Sequence, residues 1–138
     1  MPTQPYGLAI PLEHAKIAAA PALEEARKND WAMAVAIVDT GGALVYFEKM
    51  DHTQIASATV AIAKARSAAL YKRPTKALQE TLATGGDGLR VLKLENAVPV
   101  EGGLPLVMDG KIVGAIGVSG GTSAQDGQCA QAGANALH

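Results

Sequence analysis

The sequence predicts an α/β domain of the α+β kind, a three-layer α/β/α arrangement with one antiparallel sheet of about five strands and helices on both faces. Two observations carry this. There are two hairpin signals, Asp39-Thr40-Gly41-Gly42 and Asp109-Gly110, each between short apolar runs. Helical stretches precede the first hairpin, separate the two and follow the second, where they can cover both faces of a sheet. The 138 residues suffice for one real core, and no linker or internal repeat divides them, so 1–138 reads as a single domain.

Residues 1–10, with Pro2, Pro5 and Gly7, read as a loose arm. Over 11–29, Leu12, Ala15, Ala19, Leu23 and Ala26 recur at helical spacing, and Pro21 is expected to kink or split that helix. Residues 31–38 and 43–49 form the first hairpin. After the loop Met50-Asp51-His52, Thr53 can cap a helix to about Tyr71, rich in alanine and charged only at Lys64 and Arg66. Pro74 ends it, and 75–84 form a shorter helix stopped by Gly85-Gly86-Asp87-Gly88. Residues 89–100 are ambiguous: 89–92 suit one helical turn, and 97–100 a short fifth strand. The second hairpin pairs 104–108 with 111–119 through a type I′ turn at Asp109-Gly110. Ile112, Val113, Ala115, Ile116 and Val118 leave its return strand no polar face, so both sides should be buried. Gly120-Gly121 turn the chain, Thr122 and Gln125 form a capping box, and a last helix runs to about Leu137.

A net charge of −1 argues against nucleic-acid or polyanion partners, and 4% aromatics are too few for base-stacking platforms. One cysteine, Cys129, excludes an internal disulfide and a cysteine metal cage. No apolar run approaches the roughly 20 residues of a membrane span. MPTQPYG lacks the basic start and apolar core of a signal peptide, so the expectation is a soluble cytoplasmic protein. The 27 Ala and 15 Gly permit close helix packing and suit oligomer interfaces, although high-GC coding bias also produces alanine. The sparsely charged helix 53–71 predicts a homo-oligomer larger than a dimer.

Several residues could carry chemistry. Gly117-Val118-Ser119-Gly120-Gly121 matches G-x-S-x-G between strand and helix, yet only Asp126 and His138 follow as triad partners, so a tight glycine turn is the expected reading and Ser119 is not a nucleophile. The amides of that turn could hold an anion. Glu101, before Gly102-Gly103, is either a general base or a solvated loop charge. Asp39 suits a turn-former as well as a base. Lys64 either snorkels to water or pairs with a carboxylate. His52 is expected at a pocket rim, and Tyr71, Arg73 and Pro74 are expected to line the same mouth. His14 and His52 lack metal-ligand spacing. Cys129 reads as a small buried residue.

From Leu12 to Leu137 the chain resembles the GlcG/HbpS family, also found as the C-terminal domain of PduO-type proteins. The resemblance rests on VDTGGALVYFEKMD (38–51), AIAKARSAALYKRPTKAL (61–78), VEGGLPLVMDGKIVGAIGVSGG (100–121) and the following QD (125–126). It implies a profilin-like fold and frequent oligomers, including octamers. It also implies an association with haem or corrinoid binding, redox sensing and glycolate-utilisation operons, with no defined enzymatic activity as the family norm.

Two functions follow. One, implied by the resemblance, is a binding protein for haem or a related tetrapyrrole, acting as sensor or carrier, with His14, His52, Met50 and Tyr71 as candidate iron ligands. The other is a small-molecule enzyme using acid–base chemistry, with Glu101, Lys64 and Asp39 as catalytic groups. The loops at Asp51-His52, 71–74 and 101–105 are expected to border the ligand site. A 53–71 helix spans about 28 Å at about 1.5 Å per residue, so a site using both its ends must lie between subunits. The expected location is therefore an intersubunit cleft near Glu101-Gly102-Gly103, with Lys64 as counter-charge to Glu101 and His52, Tyr71 and Arg73 as further ligand contacts.

Overall fold

A computed structural model describes residues 4–138. The elements are α1 (Leu12–Lys28), β1 (Ala34–Asp39), β2 (Leu44–Lys49), α2 (Ser57–Tyr71), α3 (Thr75–Ala83), a 3-10 helix (Gly86–Lys93), β3 (Gly103–Met108), β4 (Lys111–Ser119) and α4 (Ser123–Ala134). One antiparallel sheet has the order β2-β1-β4-β3. Helices α1 and α4 cover one face and α2 the other. This is the predicted fold class with four described strands instead of about five. Residues 97–100 form no ladder; the Val98 amide donates to Ser67 Oγ at 3.0 Å, so a side chain satisfies that backbone instead. No described helix is long and apolar enough to cross a membrane.

Strand alternation divides the core in two. Val35 and Ile37 of β1 join Ile116 and Val118 of β4 beneath α1 and α4. Ala34, Ala36 and Val38 join Ala115 beneath Ala61, Ala65, Ala68 and Ala69 of α2. Gly103 and Gly117 are cross-strand partners under the same helix, and a Cβ on either would strike the α2 backbone. Small residues on both sides let α2 approach the sheet closely. Much of the alanine content of α2 is thus explained by packing within the subunit, which removes the main reason for reading that helix as an oligomer face.

Local chemistry sets most boundaries. Asp109 (φ 53°) and Gly110 (φ 74°) make the expected type I′ turn. Residues 112–119 of β4 are all buried. The Thr122–Gln125 capping box is present. The first long crossover helix starts at Ser57, not Thr53, because Thr53 Oγ1 donates to the Met50 carbonyl at 2.7 Å and so closes the preceding loop. Helix α1 runs unbroken through Pro21. The carbonyl that Pro21 deprives of a donor belongs to Ile17, which is 45% exposed and can turn to water. Nor is the arm loose where it is described; residues 1–3 lie outside the described residues. The β1–β4 ladder ends at Asp39–Gly114, leaving Ile112 and Val113 unpaired on that side. The arm takes the vacant edge: Ile112 N donates to Pro5 O at 2.9 Å, Gly7 N to Ile112 O and Ile10 N to Val113 O, both at 2.8 Å.

Candidate functional site

The arm creates a cavity of about 290 Å³ between itself, the first turn of α1 and the β3–β4 turn. Leu8, Ile10, Met108 and Val113 supply apolar lining, with His14, Asp109 and Lys111 as polar groups. His14 Nδ1 is buried and has no hydrogen-bond partner, the one such side-chain atom among the described residues. Leu8, on the cavity wall, is 90% exposed.

A second pocket, about 230 Å³, lies at the other end of β3. It is lined by Glu101, Gly102, Gly103 and Leu104, by Pro74 and Lys76 at the start of α3, and by Gly127 and Gln131 of α4. The Glu101 amide donates to Gln79 Oε1 at 2.8 Å, and its carboxylate occupies the space where a side chain on Gly127 would sit. The ends of β3 are about 17 Å apart at about 3.3 Å per residue, so one small ligand within a subunit cannot touch both His14 and Glu101. A third opening, about 610 Å³, runs along α1 and β2. There Arg27 pairs with Glu24 at 3.0 Å, and Tyr46 donates to Glu48 at 2.7 Å, which raises the tyrosine pKa.

Lys64 is not the counter-charge to Glu101. It is 1% exposed, pairs with Asp126 at 2.8 Å and donates to the Val118 carbonyl at 3.1 Å. The side chain reaches from the α2 layer to the α4 layer past Gly102. That residue has φ 133°, and a Cβ there would lie 2.8 Å from Nζ and 2.6 Å from the Val118 oxygen. Only glycine serves at this crossing. Asp126 Oδ1 also accepts the Gly121 amide at 2.9 Å. Burial pushes the Asp126 carboxyl above its ordinary value, against the pull of Lys64 and of the glycine amides. Sequence reasoning considered Asp126 only as a triad acid; the available signal was Lys64 itself, a charge among alanines that needed a carboxylate.

The other candidates serve the fold. Asp39 Oδ1 accepts from Gly41 N at 3.0 Å and Ala43 N at 2.9 Å, which makes it the turn-former. The Tyr71 hydroxyl donates to the Glu95 carbonyl, and Arg73 Nε donates to the Tyr71 carbonyl at 2.9 Å. His52 is exposed in the left-handed region, φ 70°. Of the three loops expected to converge, Pro74 and Glu101 to Leu104 share a pocket, whereas His52, Tyr71 and Arg73 are not among its lining residues. Ser119 Oγ meets Ser57 Oγ at 3.4 Å. The anion reading of the following turn fails, because Asp126 takes the Gly121 amide and Gln125 the Thr122 amide. Cys129 is buried, and burial pushes its thiol up to about 11.

The layering and the two-faced core define a profilin-like α/β/α domain. Residues 10–135 match the family described as "Haem degrading protein HbpS-like", and the chain belongs to that family. It is similar to Protein GlcG of Escherichia coli K12, 42% identical over 96 residues that make up 70% of each chain. A double-mutant crystal structure of HbpS from Streptomyces reticuli superposes with a TM-score of 0.87 at 31% identity, covering 96% of this chain and 89% of that one. The crystal structure of a PduOC–haem complex gives a TM-score of 0.85 at 28% identity, with 95% and 96% covered.

Proposed function

We propose that this protein binds haem or a related tetrapyrrole at the His14 cavity, in a sensor or carrier role. The observation that carries this reading is His14 in the wall of an apolar cavity, its Nδ1 buried and without a hydrogen-bond partner. A buried polar atom left without a partner costs about 1–3 kcal/mol, which argues that the imidazole is kept for a ligand. Histidine and methionine are both haem-iron ligands, and His14 and Met108 line the same cavity. Leu8, Ile10 and Val113 suit the faces of a macrocycle, and Lys111 suits a propionate. The volume, about 290 Å³, falls just below the roughly 300–1,000 Å³ of small-molecule sites. The macrocycle would project beyond the cavity, where a second copy of the chain can cover it, so this reading includes self-association. The PduOC relative, crystallised with haem, supports the choice of ligand. The acid–base alternative at Glu101 has less support, because Lys64 is committed to Asp126 and Asp39 to its turn.

Hemin titration of the parent, His14→Ala and Glu101→Gln tests this. The expected result is a saturable, shifted Soret band at one equivalent per chain in the parent and in Glu101→Gln, weakened or lost in His14→Ala. Loss in Glu101→Gln with retention in His14→Ala would move the site to the second pocket, and no saturable band in the parent would end the haem reading.

A further inference from the structure

The arm that walls the His14 cavity is fastened at a distance from it. Tyr6 lies one residue before Gly7, the first cavity-lining residue, and bridges to Ile112 of β4. Its hydroxyl donates to the Ala69 carbonyl at 2.6 Å, in the last turn of α2, where carbonyls lack helical donors. The Lys72 ammonium sits 4.7 Å from the centre of the Tyr6 ring. Between the backbone bonds at Gly7 and Ile10 the strap has only Leu8 and Ala9, and Leu8 leaves its apolar side chain almost wholly in water on the cavity wall. An apolar residue so placed gains only when something covers it.

We propose that residues 5–10 are a strap controlling access to the His14 cavity, and that Tyr6 is the positioning residue that holds it closed through the C-terminus of α2. The site concerned is the one in the proposed function, so its use for a ligand rests on that reading. With Tyr6 in place, Leu8 and Ile10 are held over the cavity while a ligand binds. Without it, the strap keeps only its three backbone bonds to β4 and opens more often.

His14 is half-buried, so its carbethoxylation by diethyl pyrocarbonate, followed by mass spectrometry, reports opening as a rise above the parent's own rate, without any tetrapyrrole. The exposed His52 is the reference within the same chain. One hydrogen bond corresponds to up to roughly tenfold in an opening equilibrium. Tyr6→Phe should therefore raise the His14 rate several-fold and Tyr6→Ala by tenfold or more, with the His52 rate unchanged. Amide exchange should quicken at Gly7, Ile10 and Ile112 while Val35 and Val118 stay protected, which separates a released strap from general destabilisation. Parental His14 rates and parental exchange at Gly7 and Ile10 in both variants would overturn the proposal. If Tyr6→Ala fails to fold, Tyr6→Phe decides alone. A parent that binds no hemin would sink the haem reading and leave the strap to be judged by these rates. If both hold, hemin affinity should fall in the variants by about the factor by which His14 labelling rises.

Discussion

Removing the ammonium of Lys64 leaves the Asp126 carboxylate buried with backbone partners only. Lys64→Met should therefore cost about 3–5 kcal/mol of stability in urea denaturation, and adding Asp126→Leu should recover much of it. The same carboxylate gives a pH signature. Burial holds its pKa above the ordinary value, so the folded chain binds that proton more tightly than the unfolded chain. The contribution is fully present below the unfolded pKa and is lost as pH rises through the folded one. Compared with Asp126→Asn, the parent should lose stability as pH climbs from about 4 towards neutrality; a difference that grows in the parent's favour over that range would contradict this. Ser119 should stay unlabelled by a fluorophosphonate, since its hydroxyl meets Ser57 and not an imidazole. At this scale the sequence was only half legible. That Lys64 wanted water or a carboxylate could be read from its alanine neighbours. Which carboxylate could not, because the partner is 62 positions away and meets it only where Gly102 opens a passage between layers.

Turns were the most readable elements because their chemistry is local. Asp109-Gly110 and Thr122–Gln125 declare themselves within four residues, and both form as expected. Gly110→Val places a β-branched residue at φ 74° and should cost about 1–3 kcal/mol, seen as a lower melting temperature. An unchanged melt would mean that the turn is not as described. Elements were misread where a remote partner decides the outcome. Residues 97–100 have strand composition but pair with no described strand, and Ser67 supplies the bond to the Val98 amide. The arm looks loose by its prolines, yet β1 stops short and leaves it an edge to join. The His14 cavity could not be read for the same reason, since one of its walls is that arm.

For the whole molecule, layering and fold class could be read from the succession of hairpins and helices. The sheet order could not, because the central β1–β4 pairing joins Ala34 to Ser119. Assembly beyond a dimer remains the expectation, motivated by other surfaces than α2: Leu89, Leu92, Leu94 and Val100 are each at least 41% exposed. Light scattering at micromolar concentration should return a mass above twice that of the chain, and a monomer mass would refute it. The β1–β4 pairing also bears on how the chain is made. As the ribosome releases the polypeptide, β1 and β2 can close into a hairpin early, but the inner edge of β1 has nothing to bind until β4 emerges. Through most of synthesis the nascent chain therefore presents Ala34 to Val38, a wholly aliphatic stretch, on an open strand edge. That interval is when a chaperone selective for short aliphatic segments has its longest access to this protein.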